Sequence, residues 1–87
     1  MMMTKTFTIL NPSGFHVRPT KTFVQTASTF PCKVNVISKG KKANGKSLLI
    51  MLTLGIAANE EVTLETDGER EEQAMEALGQ ILTQVHE

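Results

Sequence analysis

The segment Gly14-Phe15-His16-Val17-Arg18-Pro19-Thr20 sets an imidazole two residues before a guanidinium and three before a proline. Pro19 suits the first turn of a helix, where its missing N–H breaks no intrahelical bond, so His16 falls at a helix start. A helix start presents unpaired N–H groups and the positive end of the dipole, which together form a ready seat for an anion. Arg18 directly precedes the proline, a position biased away from helical dihedrals, so an irregular first turn is expected. Neutral imidazole is a nucleophile. Beside such a seat it can attack phosphorus while the amides and Arg18 receive the oxygens, and the resulting phosphoramidate stays reactive for onward transfer. The alternative is a histidine that merely caps the helix, with Arg18 exposed to solvent.

A second pattern, Gly40-Lys41-Lys42-Ala43-Asn44-Gly45-Lys46-Ser47, matches the phosphate-loop signature G-x-x-x-x-G-K-[ST] at every fixed position. Its context argues against a nucleotide site. Such a loop needs a parallel sheet with helical crossovers, whereas a short hairpin is expected just before the match. The helix that follows has room only from about Ser47 to Leu54, and no apolar strand ends in an aspartate that could hold magnesium. A lysine-rich hairpin followed by a capped short helix accounts for the same residues.

The elements that would position these groups can be read from periodicity. Thr4 to Leu10 alternates, with Phe7 and Ile9 on one face and Thr6 and Thr8 on the other, as in a half-buried strand. Asn11-Pro12-Ser13-Gly14 is turn chemistry. From His16 to about Ser28, Phe23, Val24 and Ala27 recur at helical spacing, and Phe30-Pro31 closes the helix. Cys32, Val34 and Val36 mark a second strand, and Gly40 turns it into a short third one near Lys41 to Ala43. Ser47 is a plausible N-cap for a short helix ending at Gly55. Val62 and Leu64 alternate with Glu61, Thr63 and Glu65 in a fourth strand. Ala74, Met75, Leu78, Ile81, Leu82 and Val85 follow helical spacing to the end, behind Glu69, Glu71 and Glu72 in a first turn whose dipole favours anions. The order βαββαβα, with alternating strands, predicts a two-layer α/β sandwich: a mainly antiparallel sheet covered on one face by three helices.

Composition bounds the reading. Eighty-seven residues, 40 % of them apolar, suit one small domain over 1–87 and leave no room for a separate cofactor domain. Nine basic residues balance nine acidic ones, which argues against a dedicated nucleic-acid or polybasic membrane module. The single cysteine, Cys32, excludes an internal disulfide and reads as a small core residue. No metal-ligand spacing is present. Nor is there a signal segment or an apolar run long enough to cross a bilayer, so a cytoplasmic protein without cofactor is expected.

The stretch Gly14 to Pro19 resembles the active-site signature of the HPr family, the histidine-containing phosphocarriers of the bacterial phosphoenolpyruvate:sugar phosphotransferase system. The likeness extends over essentially the whole chain, through Lys46-Ser47-Leu48, Thr53-Leu54-Gly55-Ile56 and the last helix. It implies an open-faced β-sandwich with sheet order 1-4-2-3, acting as a monomeric stoichiometric carrier rather than an enzyme. It further implies that His16 accepts the phosphoryl group through Nδ1, that Arg18 stabilises it, and that the Glu87 carboxylates approach the site. Ser47 would be a regulatory phosphoserine, met by a serine kinase/phosphorylase and read by a catabolite-control transcription factor. Thr20, Leu48, Leu49 and Leu52 would meet enzyme I and the sugar-specific IIA domains. The charges of Lys21, Lys41, Lys42 and Lys46 suit steering of acidic partners, or simple solvation of a lysine-rich loop. A regulatory or nitrogen-branch relative of the same fold is the competing reading. Phe15, Val17 and Thr20 depart from the commonest family form, which has leucine, alanine and alanine.

Overall fold

A computed structural model describes residues 2–85, so His86 and the expected approach of Glu87 lie outside the described residues. Four strands, β1 (Met2–Thr8), β2 (Lys33–Ser38), β3 (Lys41–Asn44) and β4 (Glu61–Asp67), form one sheet in the order β1-β4-β2-β3. Every neighbouring pair is antiparallel. Three helices, α1 (Val17–Ala27), α2 (Leu48–Leu52) and α3 (Glu71–Thr83), complete the βαββαβα order. This is the open-faced α+β sandwich expected from the sequence.

The central strands carry the core. Val34 and Val36 of β2 and Val62, Leu64 and Thr66 of β4 are buried, while the residues between them are at least partly exposed. Phe23 and Ala27 of α1 and Ala74, Leu78 and Leu82 of α3 are fully buried above that face. Burial of a side chain the size of Phe23 is worth about 2–3 kcal/mol, and α1 depends on it. With Val17, Thr20, Thr22, Val24 and Thr26 the helix is rich in β-branched residues of modest propensity, so packing rather than local preference keeps it folded.

The edge strand β1 differs from expectation. It starts at Met2 and leaves the ladder after Thr8, and only Met3 and Phe7 are half-buried. The ring of Phe7 lies over Gly79 of α3, where an added Cβ would stand 2.6 Å from it. Ile9 is fully buried but lies past the strand: its N–H donates to Glu60 O at 2.9 Å and its carbonyl accepts from Asn59 at 2.8 Å. Asn59 adopts φ 67°, a left-handed turn that ends the ladder there. At the other end of β4, Arg70 takes φ 65° as the N-cap of α3, which puts Glu69 outside the helix and leaves Glu71 and Glu72 in its first turn. The Thr66 hydroxyl donates to Glu71 O at 2.9 Å, and Gly68 N–H donates to the Glu71 carboxylate at 3.0 Å.

The turn before β4 is organised by one carboxylate. Glu60 accepts a hydrogen bond from the Ala57 N–H and pairs with Lys39 Nζ at 2.8 Å. The Lys39 ammonium, then the Ala57 amide, holds the Glu60 carboxyl below the usual glutamate range. A lowered folded-state pKa stabilises the fold above the ordinary glutamate value, and that stabilisation is lost as pH falls through the folded one. Glu60→Gln should therefore flatten the acid limb of a thermal-stability profile, seen as a smaller drop in Tm between neutral pH and pH values below the glutamate range. Gly45 sits where an added Cβ would meet Val34 Cγ1 at 2.5 Å and Phe23 Cε1 at 3.1 Å. Urea denaturation of Gly45→Ala should show a loss of about 1–3 kcal/mol, the cost of overpacking a filled core.

Candidate functional site

The approach to His16 is fixed from behind. Gly14 N–H donates to Asn11 O at 2.9 Å, and the buried Asn11 side chain returns a bond from Nδ2 to Gly14 O at 2.8 Å, closing the turn. Phe15 N–H donates to Ile56 O at 3.0 Å, which ties the histidine segment to the loop after α2. Gly14 has φ +73°, and a Cβ there would lie 2.7 Å from Ile56 O, so both conformation and space require glycine. The Phe15 side chain points inward and meets Phe23 edge-on, with centroids 5.9 Å apart and rings at 86°.

His16 is the N-cap residue of α1, with extended backbone (φ −81°, ψ −165°), and its side chain makes no capping bond. The capping role considered from sequence is therefore not what the ring does. The imidazole is exposed, beside an exposed Arg18 and a Val17 that is 57 % exposed. Arg18 is helical, so the expected irregularity before Pro19 is absent. A proline ring clashes with the carbonyl four residues back; here that residue is Phe15, outside the helix. In the first turn the amides of Val17 and Arg18 have no intrahelical acceptor. An exposed nucleophile, a guanidinium and two outward amides thus share one helix start.

Thr20 is a correction to the expected docking surface. It is 1 % exposed and cannot meet a partner. Its hydroxyl is taken up by the backbone, at 2.6 Å from His16 O and 3.1 Å from Phe15 O, which lets a polar side chain face the core. The other expected contacts lie on α2. Leu49 is 77 % exposed, Leu48 and Leu52 are half-buried, and Met51 alone is fully inside. Ile50, 47 % exposed, belongs to the same apolar surface and was not singled out from the sequence, where a run of five apolar residues gives no clue to which ones face water. Ser47 is the N-cap, as expected, its Oγ accepting from Ile50 N–H at 3.4 Å. α2 packs against α1 and β3.

The phosphate-loop match fails on amide direction. Gly45 N–H donates to Val34 O at 2.8 Å, Lys46 N–H to Asn44 Oδ1 at 2.9 Å, and Ser47 N–H to Asn44 O at 3.0 Å. Amides that would cradle a phosphate are already used. Lys46 Nζ donates to Phe30 O at 2.7 Å, at the C-terminal side of α1, and so serves the fold. Of the four lysines expected to steer partners, Lys46 is engaged in this way and Lys42 pairs with Glu65 at 3.2 Å. Lys21 and Lys41 are exposed. Among the described residues no three His, Cys, Asp or Glu side chains gather as a metal site. A groove of about 380 Å³ between β1 and α3, lined by Met3, Phe7, Met75 and Gly79, includes none of the histidine segment.

Residues 3–84 match the family model described as the PTS HPr component phosphorylation site. The phosphocarrier protein HPr of Buchnera aphidicola subsp. Baizongia pistaciae is 39 % identical over 82 residues, covering 94 % of this chain and 96 % of its own. That of Lysinibacillus sphaericus is 38 % identical over 84 residues, 97 % of this chain and 96 % of its own. The crystal structure of a phosphocarrier protein HPr from Bacillus anthracis superimposes with a TM-score of 0.90 at 30 % identity, covering 94 % of this chain and 98 % of that one. With the fold, the exposed histidine at a helix start and near-full-length similarity in agreement, the chain belongs to the HPr family of phosphotransferase-system phosphocarriers.

Proposed function

We propose that this phosphocarrier takes its phosphoryl group on His16 from phospho-enzyme I and passes it to sugar-specific IIA domains. The observation that carries the reading is an exposed imidazole at the N-cap of α1 that makes no capping bond, above a first turn with outward amides. The Nδ1 lone pair forms a new P–N bond as the donor's bond to phosphorus breaks. The amides and the Arg18 guanidinium receive the phosphoryl oxygens, stabilising charge without covalent chemistry of their own. The same steps in reverse order hand the group on. The histidine is regenerated at each transfer, so the protein acts stoichiometrically as a carrier; in this reading it does so in the cytoplasm, as a monomer and without a cofactor.

The docking face in this reading is α2. Leu49 and Ile50 are apolar and exposed, with Leu48 and Leu52 half-buried beside them. Phe15 N–H bonded to Ile56 O ties the histidine segment to the chain leaving this helix. Donor and acceptor must both engage the histidine in turn, which suits a small, transient interface. Ser47 begins the same helix. Phosphorylation there by a serine kinase adds about 1.5–2 negative charges, which turns an apolar surface into an acidic one and gives a catabolite-control transcription factor a phosphoserine to read.

Incubated with enzyme I and labelled phosphoenolpyruvate, the protein should take up one acid-labile label, lost in His16→Ala. Acid-stable label, or label that survives the substitution, would overturn the assignment. On the docking face, Leu49→Ala and Ser47→Glu should each raise the KM of enzyme I for the carrier about tenfold, with kcat changed less than about twofold. Parental KM in both would remove α2 from the interface.

A further inference from the structure

We propose that Thr20 is a positioning residue for phosphoryl transfer, its hydroxyl orienting the two peptide groups that flank His16. The inference rests on the reading of His16 as the phosphoryl carrier. Thr20 Oγ1 lies 2.6 Å from His16 O and 3.1 Å from Phe15 O, and Thr20 N–H also donates to His16 O at 3.1 Å. The side chain is 1 % exposed, so neither bond competes with water. One hydroxyl carries one proton, which these two carbonyls share.

Each of those carbonyls fixes an amide. In a trans peptide the C=O of one residue and the N–H of the next lie in one plane and point in opposite directions, and the described chain has no cis peptide. Holding Phe15 O toward Thr20 therefore turns the His16 N–H away from Thr20. Holding His16 O likewise turns the Val17 N–H outward. The preceding plane is set separately: Asn11 Nδ2 bonds Gly14 O at 2.8 Å, and the Phe15 N–H of that plane is taken by Ile56 O at 3.0 Å. The Val17 N–H, one of the two first-turn amides without an intrahelical acceptor, is thereby turned outward, and the His16 N–H beside it is turned away from Thr20.

Other hydroxyls on helices here also bond the carbonyl four residues back, at Thr22, Ser28 and Thr83. Those three are exposed or part-buried, and their carbonyls belong to residues inside helices, already held by the ladder. Thr20 is the buried case: of its two acceptors, His16 O takes the first bond of the ladder and Phe15 O lies before the ladder begins. With alanine here, as in the commonest family form, the Thr20-position N–H alone would hold His16 O, and Phe15 O would lose its bond from the hydroxyl.

Thr20→Val and Thr20→Ala both remove the hydroxyl, the first at nearly constant volume and the second with a strong helix former. Single-turnover transfer from phospho-enzyme I should slow about fivefold in each, the effect of one hydrogen bond of ordinary strength. KM should stay within about twofold, since the buried group touches no partner, and Thr20→Ser should restore the rate to within about twofold. Urea midpoints of the variants establish that each is folded. A parental rate in either folded hydroxyl-less variant, or failure of Thr20→Ser to restore it, would overturn the proposal. His16→Ala run in parallel separates the two readings. If its label vanishes while the Thr20 variants transfer normally, only the positioning role falls; if its label persists, the carrier assignment falls and takes this inference with it.

Discussion

The proposed site depends on which way the peptide group between His16 and Val17 faces. With its carbonyl inward it accepts from Thr20 and starts the α1 ladder; its N–H then has to face outward. Turned over, it would put a carbonyl lone pair in the proposed phosphoryl seat, where it would repel an anion. The helix enforces the useful orientation, yet α1 is not a helix its residues would hold alone. Its β-branched composition leaves it dependent on Phe23, Ala27 and Pro19 being buried. The direction of an amide at the surface is therefore set by hydrophobic burial in the core beneath it.

Strand order does the rest of the placement. Thr8 pairs with Glu61, so the chain leaving β1 and the chain entering β4 meet at one end of the sheet. Ile9 extends that pairing to Glu60 and Asn59, which makes the segments 9–16 and 55–60 neighbours before any specific contact between them is considered. The bond from Phe15 N–H to Ile56 O, and the absence of a Cβ at Gly14, then set their separation. Because 55–60 follows α2, the same pairing brings the end of that helix to the histidine. An antiparallel β1–β4 pair is thus what couples the proposed phosphoryl site to its proposed docking face.

Much of this was legible in the sequence, and the failures share a cause. The alternation of β2 and β4 and the spacing of α3 are properties of side chains alone, and Ala74, Met75, Leu78, Ile81 and Leu82 are all buried as read. Val85, expected on the same stripe, is exposed because α3 ends at Thr83. What residue types leave out is backbone direction. Context alone already argues against the glycine-lysine-serine pattern as a phosphate loop, and the folded chain adds the direct reason: its amides are spent on Val34 and Asn44. The resemblance puts Thr20 on the docking surface; two backbone carbonyls that take up its hydroxyl make it a core residue. Residue type reports what a group can bond, and only the folded chain shows whether that bond is still free.

The exposed end of α2 has the properties a transient docking face needs. A helix of five residues has almost no stability of its own, and Met51 alone anchors it fully while Leu48 and Leu52 do so in part. Leu49 leaves most of its side chain, and Ile50 about half, outside that packing. Apolar side chains at those two positions gain free energy only when something covers them, and a patch this small gives weak association. Weak association is what the proposed relay requires: if donor and acceptor share this face, the carrier has to leave the one before it can meet the other. Tight binding to either partner would stop transfer as surely as loss of the histidine.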